Sequence, residues 1–122
     1  MPLKNQPFPA RLGFALRGLA HALRSERSVQ VQAAVFAAVL LALIRLRPSP
    51  GWWALVGLAS AGVIAAELLN TAIEELADHL HPELHPRIRL VKDCAAAGVL
   101  IAVLGALGVA LALAVEILRP RL

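Results

Sequence analysis

A stripe of acidic and amide side chains continues directly out of an apolar run that begins at Trp52. At helical spacing, residues three, four, seven and eleven places after Glu67 share its face of a helix. That face carries Glu67, Asn70, Thr71, Glu74 and Asp78. Because a carboxylate at bilayer depth is tolerated mainly beside a packed bundle, a partner charge or a metal ion, the stripe is a candidate site.

Two other segments bring ionisable groups to the same depth. Glu26 stands just before the first apolar run, and Lys92-Asp93 opens the third. Carboxylates suit Mg²⁺, which usually also binds substrate phosphates, and a lysine at a helix start suits a polyphosphate. Together they fit phosphoryl transfer, in which positioning and charge neutralisation carry most of the catalysis. The alternative is that these groups only pair with one another and hold helices together.

The elements that position these groups are membrane helices. The chain has 122 residues, of which 59% are hydrophobic, so it is too apolar for a soluble domain. It is also too short for more than one domain, and we expect a single domain over residues 1–122. Three runs are long enough to cross a hydrocarbon core, which takes about 20 helical residues. They are residues 29–46, 52–78 and 94–118. We therefore expect an all-α membrane protein whose stripe lies near one boundary of the bilayer.

An amphipathic helix is predicted over residues 10–24. Apolar Leu12, Leu16, Leu19 and Leu23 recur there at helical spacing, while arginines occupy other faces, which is the pattern of a helix lying flat in an interface. Two His-Pro pairs, His81-Pro82 and His85-Pro86, are expected to end the second membrane helix. The glycines of the third run (Gly98, Gly105 and Gly108) indicate close helix packing.

The formal charge of +4 does not indicate nucleic acid, because the basic residues are scattered among hydrophobic spans and suit anionic headgroups. Eight basic residues lie on one predicted side, in the N-terminal segment and the second loop, against four on the other, which are Arg45, Arg47, Arg119 and Arg121. The positive-inside rule puts the N-terminus and second loop in the cytoplasm. The single cysteine, Cys94, excludes an intrachain disulfide.

Several motifs resemble one family. Glu67-Leu-Leu-Asn-Thr-Ala-Ile-Glu74, followed by Asp78 and then Val91-Lys92-Asp93 with a small-residue helix, resembles the signature of the bacterial integral-membrane diacylglycerol kinase and undecaprenol kinase family. Phe14-Ala-Leu-Arg17-Gly18 and the segment from Ser25 to Gln30 also resemble its surface helix and its entrance to the first span. Val91 replaces the usual alanine, and Gln30 stands where many members have a basic residue.

This resemblance implies a homotrimer in the cell inner (plasma) membrane, with composite cytoplasmic active sites that use ATP and Mg²⁺ to phosphorylate a lipid alcohol, diacylglycerol or undecaprenol. By the same resemblance, Glu67 is the general base, and Glu26 and Glu74 hold the metal. Asn70, Glu74, Lys92 and Asp93 are nucleotide-binding or orientation residues, and Arg17, with Arg11, is a phosphate partner. His79, His81 and His85 are interpreted as solvated loop residues rather than a transition-metal site.

Two other functions are compatible with these residues. A non-catalytic helical subunit or lipid-binding scaffold needs the acidic stripe only to join helices. A transporter or channel is weaker, because its polar path should continue through the bilayer, whereas residues 52–66 hold nothing ionisable.

Overall fold

The computed structural model describes residues 3–119, which contain helices and no strand. A short 3-10 turn, Leu3–Asn5, precedes four α-helices: α1 (Phe8–Ser25), α2 (Arg27–Leu46), α3 (Pro50–Leu80) and α4 (Pro86–Leu118). Among them α2, α3 and α4 are long and apolar enough to cross a membrane. The predicted class, a surface helix followed by three membrane helices, is confirmed. Arg121, which entered the charge count, lies outside the described residues.

A proline marks the beginning of α1, and an extended residue marks its end. Pro9 lies in its first turn, where a missing N–H removes no helical bond, and Glu26 leaves the helix in an extended conformation (φ −104°, ψ 112°). The leucines of its apolar face are exposed, as expected for a helix whose apolar partner is a lipid surface; they are Leu12, Leu16, Leu19 and Leu23.

The turn between α2 and α3 relies on a left-handed residue and two prolines. Arg47 adopts φ 49° and ψ 55°, which ends α2, and Pro50 supplies the pre-set φ of the first residue of α3. Next to this turn, Leu43, Val56 and Leu113 form a small buried core, with Trp52 and Trp53 packed against it. One end of the bundle is therefore closed by apolar contacts among all three long helices.

Helices α3 and α4 form the principal packed pair. With 31 and 33 residues, they extend about 46 and 50 Å at 1.5 Å per residue, longer than a hydrocarbon core of about 30 Å. Their shared end, around the loop of residues 81–85, must therefore project beyond the core. The polar end of α3 and the first turns of α4 lie in this projecting part.

Two expectations about this end were wrong. The His85-Pro86 pair begins α4 instead of ending α3, because His85 is the N-cap and Pro86 is the first helical residue. Consequently α4 starts eight residues before the predicted span, and Lys92 lies in its second turn. The free backbone N–H groups expected beside Lys92 are not there.

Few side chains are buried within a single chain. Most large apolar side chains on α2, α3 and α4 are exposed, which a bilayer explains because lipid takes the place of a protein core. The predicted close packing at the glycines of α4 is also wrong within one chain. A Cβ added at Gly98, Gly105 or Gly108 would meet no neighbouring atom within 4 Å.

Candidate active site

Glu67 is the one buried charged side chain in the part of the chain that the structure describes. It is 6% exposed and lies on α3, on the same face as Asn70 and Glu74. The hydrogen bonds and ion pairs formed among residues 3–119 do not include its carboxylate. Glu67 therefore adds no such contact to the fold, which favours a functional interpretation of this side chain.

Asn70 and Glu74 form a pair one turn further along α3. The Asn70 Nδ2 donates to Glu74 Oε1 at 3.2 Å, which orients both side chains. The other end of the amide, Asn70 Oδ1, is buried and accepts no hydrogen bond from the described residues. Because buried acceptors are nearly always satisfied, this oxygen is available to a donor from outside the single chain.

Asp78 joins the acidic stripe to α4. Its Oδ1 accepts from Lys92 Nζ at 2.5 Å, so the structure brings the Lys92-Asp93 motif to the end of the stripe. The Lys92 side chain is two-thirds shielded, with 33% exposed. Because Lys92 lies inside α4, the free N–H groups of the helix end do not lie beside it.

Asp93 points to a different partner. Arg89 Nε donates to its Oδ1 at 3.2 Å, an i,i+4 contact along α4. Both side chains are largely exposed, so this pair stabilises the helix only weakly. The structure therefore brings Lys92 to the acidic stripe and leaves Asp93 paired along its own helix.

Glu26 occupies the corner between α1 and α2. It is half-buried, it is both the C-cap of α1 and the N-cap of α2, and its side chain makes no capping hydrogen bond. Helix α1 also contacts α3, the element that carries the stripe. The Glu26 carboxylate is therefore not used in holding the backbone.

The described residues contain no group of three His, Cys, Asp or Glu side chains that could hold a metal ion. A closed metal site made by one chain is therefore not seen among residues 3–119. Mg²⁺, however, is usually held by one or two carboxylates together with substrate phosphates and water. The Glu26 carboxylate, and the Glu74 oxygen that Asn70 leaves free, match that preference for hard oxygen ligands.

Arg17 has a local partner on α1. Its guanidinium carbon lies 5.0 Å from the centre of the Phe14 ring, a cation–π arrangement. The side chain is exposed, and no described acidic group pairs with it. This arrangement leaves the in-plane N–H donors of the guanidinium free for a phosphate.

The histidines of the loop between α3 and α4 contact each other and neighbouring backbone groups. His85 Nδ1 accepts from the backbone N–H of Arg87 at 3.1 Å, which caps α4, and the His81 ring meets the His85 ring edge to face at 5.4 Å. His81 Nδ1 also lies 3.0 Å from the carbonyl of Glu83. These contacts agree with the interpretation of His81 and His85 as loop residues. The same interpretation of His79 was wrong, because α3 continues to Leu80 and His79 lies in its last turn.

An apolar groove leads to the acidic stripe and was not anticipated from the sequence. It has a volume of about 520 Å³ and lies among α2, α3 and α4. On α3 its lining includes Ser60, Val63 and Ile64, and on α4 it is lined by larger aliphatic residues together with alanines such as Ala106 and Ala110. Val63 and Ile64 precede Glu67 by one turn on the same face of α3. The alanines of α4 were a signal that the sequence offered for this groove, but one sequence does not identify the helix that they face.

Comparisons with known proteins converge on one family. The sequence model of the prokaryotic diacylglycerol kinase family matches residues 13–114. An undecaprenol kinase of Bacillus subtilis (strain 168) is 36% identical over 85 residues, covering 70% of this chain and 69% of that protein. A diacylglycerol kinase of Synechocystis sp. is 32% identical over 94 residues, covering 76% of this chain but only 54% of that protein.

Proposed function

Because this chain belongs to the prokaryotic diacylglycerol kinase family and is a lipid kinase, we propose that it transfers the terminal phosphate of ATP to the hydroxyl of a membrane lipid alcohol. The observation that carries the proposal is Glu67, a buried carboxylate without a partner one turn beyond the end of an apolar groove. A groove of this kind suits a hydrocarbon chain, and the carboxylate suits the hydroxyl at its head.

In this proposal Glu67 is the general base. It takes the proton of the lipid hydroxyl as that oxygen forms a bond to the γ-phosphorus, and the bond from this phosphorus to the bridging oxygen of ADP breaks. The products are a phosphorylated lipid and ADP.

The other polar residues bind and neutralise the nucleotide. Glu26 and Glu74 would hold Mg²⁺, which when bound neutralises charge on the phosphates. Asn70 orients Glu74 and offers Oδ1 to a donor, while Lys92 supplies a positive charge at the end of the stripe. Asp93 and Arg17 are assigned to nucleotide contacts by resemblance, and their present partners are Arg89 and the Phe14 ring.

A homotrimer in the cell inner membrane, with its active sites at the cytoplasmic face, is also part of the proposal. Two features of the single chain support an assembly. Among residues 3–119, nothing lies within 4 Å of a Cβ added at the glycines of α4, and no group donates to the buried Oδ1 of Asn70. Small residues on a membrane helix allow close approach of another helix, so a neighbouring subunit suits this face.

The acceptor is diacylglycerol, giving phosphatidic acid, or undecaprenol, giving undecaprenyl phosphate. One relative is named an undecaprenol kinase and the other a diacylglycerol kinase. The groove is lined almost wholly by apolar side chains, which distinguish hydrocarbon chains poorly. Assays with both lipids in the same mixed micelles, comparing kcat/KM for each, decide between them.

The test of the proposal is Glu67→Gln, which keeps size and polarity but removes the base. We expect the purified variant to lose transfer of radiolabel from γ-labelled ATP to lipid by about 10²-fold or more, since general-base catalysis contributes roughly this much. Glu75→Gln is the matched control, because Glu75 is exposed and lies about 100° around α3 from Glu74. It should retain activity.

A fully active Glu67→Gln variant would reject the catalytic assignment. If the wild-type protein forms no product that depends on ATP and Mg²⁺ with either lipid, the scaffold function is favoured. In that case the Asp78–Lys92 contact serves only to join α3 and α4, and Lys92→Met should lower the thermal stability in detergent.

A further inference from the structure

Gln30 closes the corner between the surface helix and the first membrane helix. It lies in the first turns of α2, and its side-chain Nε2 donates to two carbonyls of α1, Leu23 O at 3.1 Å and Arg24 O at 3.2 Å. Its backbone N–H donates to Glu26 O at 3.0 Å. One residue therefore bonds to three carbonyls around the break between the helices.

The physical need for this contact follows from how helices end. The last carbonyls of a helix have no partner within it. At the end of α1, the carbonyl of Ala22 accepts from the N–H of Glu26 at 2.8 Å, and the next two carbonyls are those that Gln30 satisfies. Near a bilayer, unpaired backbone carbonyls are unfavourable, so losing the Gln30 amide loosens this corner.

Glu26 lies inside this bonded corner. Its N–H bonds to Ala22 O, and its carbonyl accepts from Gln30, so both of its peptide groups are fixed. Its carboxylate is free of the backbone, because it caps neither helix. The arrangement holds the main chain of Glu26 and leaves its side chain available to a ligand.

We propose that Gln30 is a positioning residue, which holds the Glu26 carboxylate in place for a divalent cation by hydrogen-bonding the end of α1. This inference rests on the proposed lipid kinase function for the role of Glu26. It assigns a role to position 30, where this chain has glutamine and many members of the family have a basic residue. Any side chain of similar length with N–H donors can make these carbonyl contacts.

The experiment compares Gln30→Met, which keeps length but has no donor, with Gln30→Lys, which keeps N–H donors. Gln6→Met is the matched control, since it makes the same change at an exposed position outside the four helices. We expect amide hydrogen exchange from residue 23 to residue 30 to become about fivefold faster in Gln30→Met. Hydrogen exchange can be measured whether or not the protein phosphorylates a lipid.

The second readout is the Mg²⁺ dependence of lipid phosphorylation. In Gln30→Met the half-saturating Mg²⁺ concentration should rise about threefold or more, with a smaller change in KM for lipid, because a loosened corner weakens cation binding first. Gln30→Lys and Gln6→Met should stay within about twofold of wild type in both readouts.

Unchanged exchange at the corner of Gln30→Met, or an equal change in Gln6→Met, would overturn the corner contact. Faster exchange with an unchanged Mg²⁺ dependence would overturn the positioning role of Gln30. Failure of Gln30→Lys to restore either readout would show that hydrogen bonding is not the cause. If the wild-type protein phosphorylates no lipid, the proposed function and the role of Glu26 fall together, while hydrogen exchange still decides whether Gln30 closes the corner.

Discussion

Charged side chains in this protein are divided between those with partners and those without. Asp78 and Lys92, at the projecting end of the helix pair, neutralise each other across 2.5 Å, whereas Glu67, deeper along α3, has no partner among the described residues. A bilayer makes unpaired charge more unfavourable with depth. The buried carboxylate without a described partner is thus the one proposed as the general base.

Asp78 is predicted to hold Lys92 in place for the nucleotide. In Asp78→Asn the ammonium loses its charged partner and samples more positions, so KM for ATP should rise about two- to fivefold, the factor that ~0.5–1 kcal/mol corresponds to. We expect kcat to change less. Steady-state kinetics at varied ATP, with saturating lipid, measure the two constants separately.

Asp78→Glu provides the control for this prediction, because it keeps the charge on a side chain one methylene longer. It should lie closer to wild type than Asp78→Asn. An unchanged KM for ATP in Asp78→Asn would show that the ion pair has no part in nucleotide binding.

At the scale of elements, the ends of the helices decide where the functional residues lie. Helix α3 ends at Leu80 because His81, before Pro82, leaves helical geometry (φ −150°, ψ 82°). Only five residues separate this end from α4, which begins with Pro86 as its first residue and His85 as its N-cap. This short connection sets the register in which Lys92 meets Asp78.

Removing the cap of α4 should destabilise the protein. His85→Ala leaves the N–H of Arg87 without its acceptor, and the expected loss is about 1 kcal/mol, seen as a thermal unfolding midpoint lower by a few degrees in detergent. His85→Asn restores a capping acceptor without an aromatic ring, so it should recover most of the stability.

His79→Ala is the control for the cap, since His79 is exposed and forms no hydrogen bond with the described residues. Equal destabilisation by His85→Ala and His85→Asn would contradict capping and assign the effect to the ring contact with His81.

At the scale of the whole molecule, the exposed apolar surface and the distribution of charge describe how the chain sits in a membrane. Three helices expose leucine, isoleucine and valine along their lengths, and α1 exposes an apolar face at their polar end. The loop of residues 81–85 lies at that same end of the α3–α4 pair as the acidic stripe. The predicted orientation therefore puts nucleotide, surface helix and loop on one side.

The orientation can be measured with two single cysteines in a Cys94→Ala background. Ser49→Cys lies in the turn between α2 and α3, and Leu84→Cys replaces a side chain that is 98% exposed in the loop before α4. We expect a membrane-impermeant maleimide added to intact cells to label the first and not the second. Both should react after permeabilisation, and labelling of Leu84→Cys in intact cells would reverse the orientation.

Local pattern was enough to determine the class of fold and the family motif. The length of the apolar runs specifies membrane helices, because the bilayer demands that each span satisfy its own backbone. The spacing of Glu67, Asn70 and Glu74 places them on one face, because α3 is continuous through them. Both conclusions depend only on neighbours along the chain.

Tertiary structure decided what those residues contact. The start of α4 at Pro86, the pairing of Lys92 with Asp78 and the bonds of Gln30 to the end of α1 depend on how two helices meet. So do the burial of Glu67 and the groove that ends beside it. Helical periodicity fixes the direction of a side chain around its own axis but carries no information about the neighbouring helix or its register, and only packing supplies that.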